Sequence, residues 1–189
     1  RRLRAHPALR AMVRETHLSP ADLIWPIFVM AGEDSCEPVN SMHGVSRHTV
    51  DRLPALAAKA HRLGIPAICI FPYTDPELKT EDCKEAWNPD NLSNRAIRAI
   101  KNAVPDVMVM TDIALDPYNI NGHDGIVRNG EIINDETVEA LVKMGKAQAQ
   151  SGADILGPSD MMDGRIGALR DMLEKNAFQN VSILSYSAK

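Results

Sequence analysis

The sequence predicts an α/β fold, a parallel sheet wrapped by helices in the form of a (β/α)8 TIM barrel with an N-terminal arm, of which about the first five β/α units are present. Apolar runs and helical stretches alternate without interruption from Leu23 onward. The runs are apolar throughout, the mark of strands buried on both faces by crossover helices. The stretches that follow them, notably 72–90 and 117–134, are long and polar, as expected where βα loops gather at one mouth of a barrel. The rival open, doubly wound sheet in its nucleotide-binding form calls for a Gly-rich turn after the first strand. Ala31-Gly-Glu-Asp-Ser-Cys36 is not GxGxxG, and no Walker A sequence occurs.

Residues 1–20 form an arm, with Leu3, Leu9, Met12 and Val13 scattered among arginines and too few apolar groups to bury alone, so the arm is expected to pack on the domain body or a neighbouring subunit. Residues 21–189 form the partial barrel, cut after its fifth strand. Its first strand is the run 23–29. Helical spacing of Val50, Leu53, Leu56, Ala57 and Ala60 predicts a helix over 49–63, closed by Gly64. The second strand is 65–71, and a helix over 91–103 starts on Asn91 as N-cap. The third strand, 107–113, leads to a helix over 134–151 closed by Gly152. The fourth strand, 153–158, is followed by a helix over 164–176, and the fifth strand is 181–187. Five strands cannot close a barrel, and an open edge with an unfilled interior is an aggregation hazard.

Composition narrows the function class. A formal net charge of −4 with one short basic cluster near the N-terminus argues against a nucleic-acid footprint. No apolar run is long enough for a membrane span, and the N-terminus lacks the apolar region of a signal peptide, so a cytoplasmic enzyme is expected. Cys36, Cys69 and Cys83 have no CxxC spacing, the histidines form no HxH or HxxxH pair, and Cys69 reads as a core residue.

Barrel active sites are built at the C-terminal ends of strands. The third strand ends on Thr111-Asp112, the fourth on Pro158-Ser159-Asp160 and the fifth on Ser185-Tyr186-Ser-Ala-Lys189. A carboxylate, a hydroxyl beside a carboxylate, and an amine would thus share one mouth. A lysine at the end of an apolar strand is costly to desolvate as ammonium, and in its free-amine form it is a nucleophile whose characteristic product is a Schiff base with a carbonyl substrate. Aspartate at a strand end also serves as an N-cap or turn residue, and a lysine at a chain end is most often just solvated.

Pro158-Ser-Asp-Met-Met-Asp-Gly-Arg-Ile-Gly167, Ser185-Tyr-Ser-Ala-Lys189, Thr111-Asp-Ile-Ala-Leu-Asp-Pro-Tyr118 and Gly122-His-Asp-Gly125 closely resemble the porphobilinogen synthase family, also called 5-aminolevulinate dehydratase. The likeness extends through the arm, Trp25-Pro-Ile-Phe-Val29 and Phe71-Pro72. It implies a (β/α)8 barrel whose arm embraces a neighbouring subunit in a homo-oligomer, octamer or hexamer. It also implies condensation of two 5-aminolevulinate molecules to porphobilinogen with loss of two waters, through lysine Schiff bases. Lys189 matches the lysine assigned to the A-site substrate, Asp112 a carboxylate near the reacting amino groups, and Ser159 a hydroxyl lining the same site; Asp160 and Tyr186 fall among the substrate-binding positions. The family's second lysine, its carboxylate-binding arginines and its lid lie beyond the stretch present here, so the 189-residue chain alone is expected to be inactive. The α-carboxylate that Lys189 carries as last residue would further favour its ammonium form.

Zinc-dependent members carry three cysteines where this chain has Ala114, Asp116 and Asp124. Without thiolates no zinc is expected, and no organic cofactor. Asp116 and Asp124 are suited to Mg2+ or a monovalent cation, or else they organise the loop or bind the substrate amine. Another lysine-dependent barrel, such as a class I aldolase, and a non-catalytic association fragment are the competing readings.

Overall fold

A computed structural model describes residues 1–187; Ala188 and Lys189, and with them the proposed Schiff-base position, lie outside the described residues. After helix α1 (Pro7–Met12) come strand β1 (Ile24–Met30), strands β2 (Cys36–Pro38) and β3 (Ser46–Thr49), helix α2 (Leu53–Arg62), β4 (Ala67–Tyr73), α3 (Leu92–Ala103) and β5 (Met108–Ile113). The short strands β6 (Val127–Arg128) and β7 (Glu131–Ile132), helix α4 (Asn134–Ser151), β8 (Ile155–Pro158), α5 (Arg165–Lys175) and β9 (Ser182–Ile183) complete the order. The main sheet runs β2-β3-β1-β4-β5-β8-β9, and every neighbouring pair but β2 with β3 is parallel. This is the expected α/β arrangement, an arc of a (β/α)8 barrel with its helices on one face.

The core lies between that face and the helices. Ile27, Val29, Ile68, Ile70, Val109 and Leu156 alternate along their strands and meet Leu53, Ala57, Ile97, Ile100, Leu141 and Leu169. Helix α3 starts where its sequence demands. The buried Asn91 side chain accepts the Asn94 N–H at 2.8 Å and donates to Glu85 O and Ala86 O, satisfying helix and preceding turn together. Helix α4 stops at Gly152, whose φ of +104° is a left-handed conformation costly for any residue with a Cβ.

The residues of opposite parity face the concave side, and register ties them into rows: Phe28 pairs with Phe71, and Asp112 with Gly157. Glycine at 157 is a packing requirement. A Cβ there would run into Met110 Cε and lie 3.1 Å from Thr111 O, a backbone atom with little freedom to yield. Gly157→Val is expected to destabilise the chain by about 1–3 kcal/mol through overpacking, read as a lowered urea midpoint.

In the main sheet, two features depart from the sequence reading. The fifth strand, expected over 181–187, pairs only through Ser182 and Ile183, with Leu184 N–H still reaching Leu156 O at 2.9 Å. The next rung would need an N–H from residue 158, which is proline, so the ladder ends there. The hairpin β2/β3, which adds β3 to the free edge of β1, was not expected. Its segment mixes charge, glycine and proline without a two-residue period.

Residues 1–24 are exposed throughout, including Leu3, Met12 and Leu18 at 57%, 80% and 78% exposure. The arm therefore does not bury itself against its own domain. Among the described residues no helix is long and apolar enough to cross a membrane.

Candidate active site

The strand ends and their loops enclose a cavity of about 690 Å³ on the C-terminal side of the sheet. Phe71 of β4 and Asp112 of β5 supply its wall, and Ser159 and Met161 enter from the loop after β8. Tyr186, just past β9, closes one flank. Asp116, Gly122, His123 and Asp124 reach it from the loop after β5. Of the expected site residues, Asp112, Ser159, Asp116, Asp124 and Tyr186 thus face one space.

Asp112 is only 8% exposed and acts on its neighbours through its charge. Burial, and then the Asp112 charge, push the Cys69 thiol up to about 12. Tyr186 is held above its ordinary range by burial, then by Cys69 and Asp112. Both neighbours therefore stay protonated at neutral pH. Cys69 is a buried core thiol, neither nucleophile nor metal ligand.

Asp160 sits apart from the cavity lining, turned into its own loop. Its side chain is fully buried, accepts the Met162 N–H at 2.8 Å, and lies 3.0 Å from Arg165 Nε, off the hydrogen-bonding direction. Arg165 in turn donates to Met162 O at 2.8 Å. Burial raises the Asp160 carboxyl, against the lowering by the Met162 N–H and Arg165. A raised native value means the folded chain holds this proton more tightly than the unfolded one, so the contribution is full below the unfolded value of 3.8 and is lost as pH rises through the native value. Asp160→Asn is expected to flatten that part of the stability curve, read from urea midpoints measured from pH 4 upward.

The loop after β5 is built by its own polar groups. The Tyr118 hydroxyl meets Ser93 Oγ at 3.1 Å, and Tyr118 O and Ile120 N–H bond Thr80, tying this loop to α3 and to the loop after β4. His123 Nδ1 accepts the Gly125 N–H at 2.9 Å, so the imidazole carries its proton on Nε2 in this arrangement. Beyond, Asn129 and Gly130 both have positive φ (53° and 80°) and turn the β6/β7 hairpin. A Cβ on Gly125 would lie 3.0 Å from Ile132 of that hairpin and 3.1 Å from Met162 of the loop after β8, so three segments interlock at this point.

His123, Gly122, Met161 and Phe71 were not singled out as site residues, although His123 and Gly122 lie in the Gly-His-Asp-Gly string. Ala114 is buried and offers no ligand, Asp116 and Asp124 are hard oxygen donors, and the described residues contain no group of three or more His, Cys, Asp or Glu placed to hold a metal.

The family model described as delta-aminolevulinic acid dehydratase matches residues 1–189. The delta-aminolevulinic acid dehydratase of Rhodobacter capsulatus is 54% identical over 189 residues, covering 100% of this chain and 57% of the relative. That of Bradyrhizobium diazoefficiens is 48% identical over 189 residues, covering 100% and 54%. A chloroplastic relative from Chlamydomonas reinhardtii is 46% identical over 191 residues, covering 100% and 49%. The crystal structure of delta-aminolevulinic acid dehydratase (porphobilinogen synthase) from Toxoplasma gondii ME49, in complex with the reaction product porphobilinogen, superimposes with a TM-score of 0.96 at 44% identity, covering 100% of this chain and 54% of that one. The chain spans about half the length of the curated relatives it matches.

Proposed function

Because the chain belongs to the delta-aminolevulinic acid dehydratase family, we propose that the whole protein condenses two 5-aminolevulinate molecules to porphobilinogen with release of two waters. The observation that carries this reading is the cavity lined together by Asp112, Ser159 and Tyr186 in a chain that superimposes over its full length on a product-bound relative. In this scheme the Lys189 amine attacks the ketone of one substrate molecule, water leaves, and a Schiff base forms. Asp112 and Ser159, at the mouth of the same strands, hold and move protons on the reacting groups. Asp112 also fixes an anionic centre where substrate amines must enter. Asp116 and Asp124 bind a substrate amine or a hard cation, magnesium or monovalent; the donor set gives no reason for zinc. Asp160 supports the site indirectly, by holding the loop that presents Ser159.

The half-length arc requires the remaining strands to close the barrel, and the second Schiff-base lysine would come from them, so the 189-residue chain alone is expected to be inactive. The exposed apolar arm suits association with a second copy of the protein, as octamer or hexamer, and we place the protein in the cytoplasm. The test is incubation of the whole protein with 5-aminolevulinate, read as porphobilinogen by its colour reaction and, after borohydride, as mass added to the peptide holding Lys189. Absence of both product and adduct overturns the proposal.

A further inference from the structure

We infer that Asn119 is a positioning residue that fixes the direction in which Asp124 and His123 enter the cavity; the inference rests on the condensation proposed above. Asn119 is fully buried, and burial of an amide is costly unless its groups are paired. Here every side-chain bond stays within the loop. Nδ2 donates to His123 O at 3.1 Å and Gly125 O at 2.7 Å, and Oδ1 accepts the Asn121 N–H at 2.8 Å. These bonds tie the side chain to no helix or strand of the barrel, so their work is the shape of residues 119–125.

That shape pins one residue in particular. The peptide plane before Asp124 is held through His123 O by Asn119. The plane after it is held by the Gly125 N–H on His123 Nδ1 and by the Leu115 N–H, 3.3 Å from Asp124 O. With both flanking planes fixed, φ and ψ of Asp124 are fixed, and with them the direction of its Cα–Cβ bond toward the cavity it lines. The same ring of bonds sets the imidazole of His123, leaving its Nε2–H as the group that nitrogen presents. Asn119 therefore acts on the reaction through Asp124 and His123 without itself lining the cavity.

Asn119→Asp is the discriminating variant, because it keeps shape and the Oδ1 acceptor but turns both donor contacts into repulsion between oxygens. In the whole protein we expect kcat to fall on the order of 10- to 100-fold through misplacement of the loop. Borohydride trapping of 5-aminolevulinate per folded molecule should stay close to the parent's, while the urea midpoint falls because the buried carboxylate faces two carbonyl oxygens. Lowering the pH should restore part of the loss, since a protonated carboxyl regains one donor, which gives the variant a pH profile the parent lacks. Parent-like kcat overturns the inference, as does a fall in trapping and kcat in step with the folded fraction. Should the parent itself make no porphobilinogen, the condensation reading falls, and hydrogen exchange decides the positioning separately. Faster exchange confined to amides 121–125 in Asn119→Asp supports it, and unchanged exchange there overturns it.

Discussion

Lys189→Met in the whole protein is expected to lower porphobilinogen formation by at least about 10³-fold and to abolish borohydride labelling of the peptide that spans this position. The size of the effect follows from what else is available. Among the described residues the cavity is lined by carboxylates, a hydroxyl, a phenol and an imidazole, and by no lysine. None of these forms an imine with a ketone, so no described neighbour can substitute for a lost amine. Methionine preserves the length and apolar stem of the side chain, which separates loss of the nucleophile from loss of packing. Turnover and labelling that both persist would move the Schiff base to another lysine and remove Lys189 from the reaction.

Asp112→Asn comes next, with an expected fall in kcat on the order of 10²- to 10⁴-fold if the carboxylate moves protons in the condensation. The change keeps size and hydrogen-bonding capacity while deleting the charge. It also has a signature independent of turnover. The Asp112 charge helps hold Tyr186 above the ordinary phenol range, although burial is the larger cause, so ultraviolet titration of the variant should place Tyr186 ionisation at lower pH than in the parent. Cys69 should stay unreactive to thiol reagents in both proteins, because burial dominates its rise to about 12. A variant with lowered kcat but unshifted Tyr186 ionisation would mean that the charge acts elsewhere than across the cavity.

Much of the architecture was legible because its signals are local. Asn91 before an apolar stripe and Gly152 after one mark ends that backbone chemistry enforces, and both helices stop or start there. The strands were legible as continuous apolar runs. The gathering of Asp112, Ser159 and Tyr186 at one mouth followed from parallel topology, since every strand of a parallel sheet delivers its C-terminal residue to the same side. The remainder depends on pairing that no single segment encodes. The hairpin of β2 and β3 is held by the pairing of β3 with β1, and the shortness of β9 depends on Pro158 in the neighbouring strand. The β6/β7 hairpin did have a local signal, Asn129-Gly130. Asn119 carried none, because an asparagine in a polar loop reads as a turn residue until its three bonds are seen to close on that loop.

The interlock at Gly125 has an evolutionary side. A Cβ at 125 would crowd a hairpin residue and a residue of the loop after β8 together, so a larger residue there requires Ile132 and Met162 to give way or become smaller. Drift at any one of the three positions is thereby constrained by the other two. Across related sequences these sites are expected to change as a set, although up to 37 residues of chain separate them.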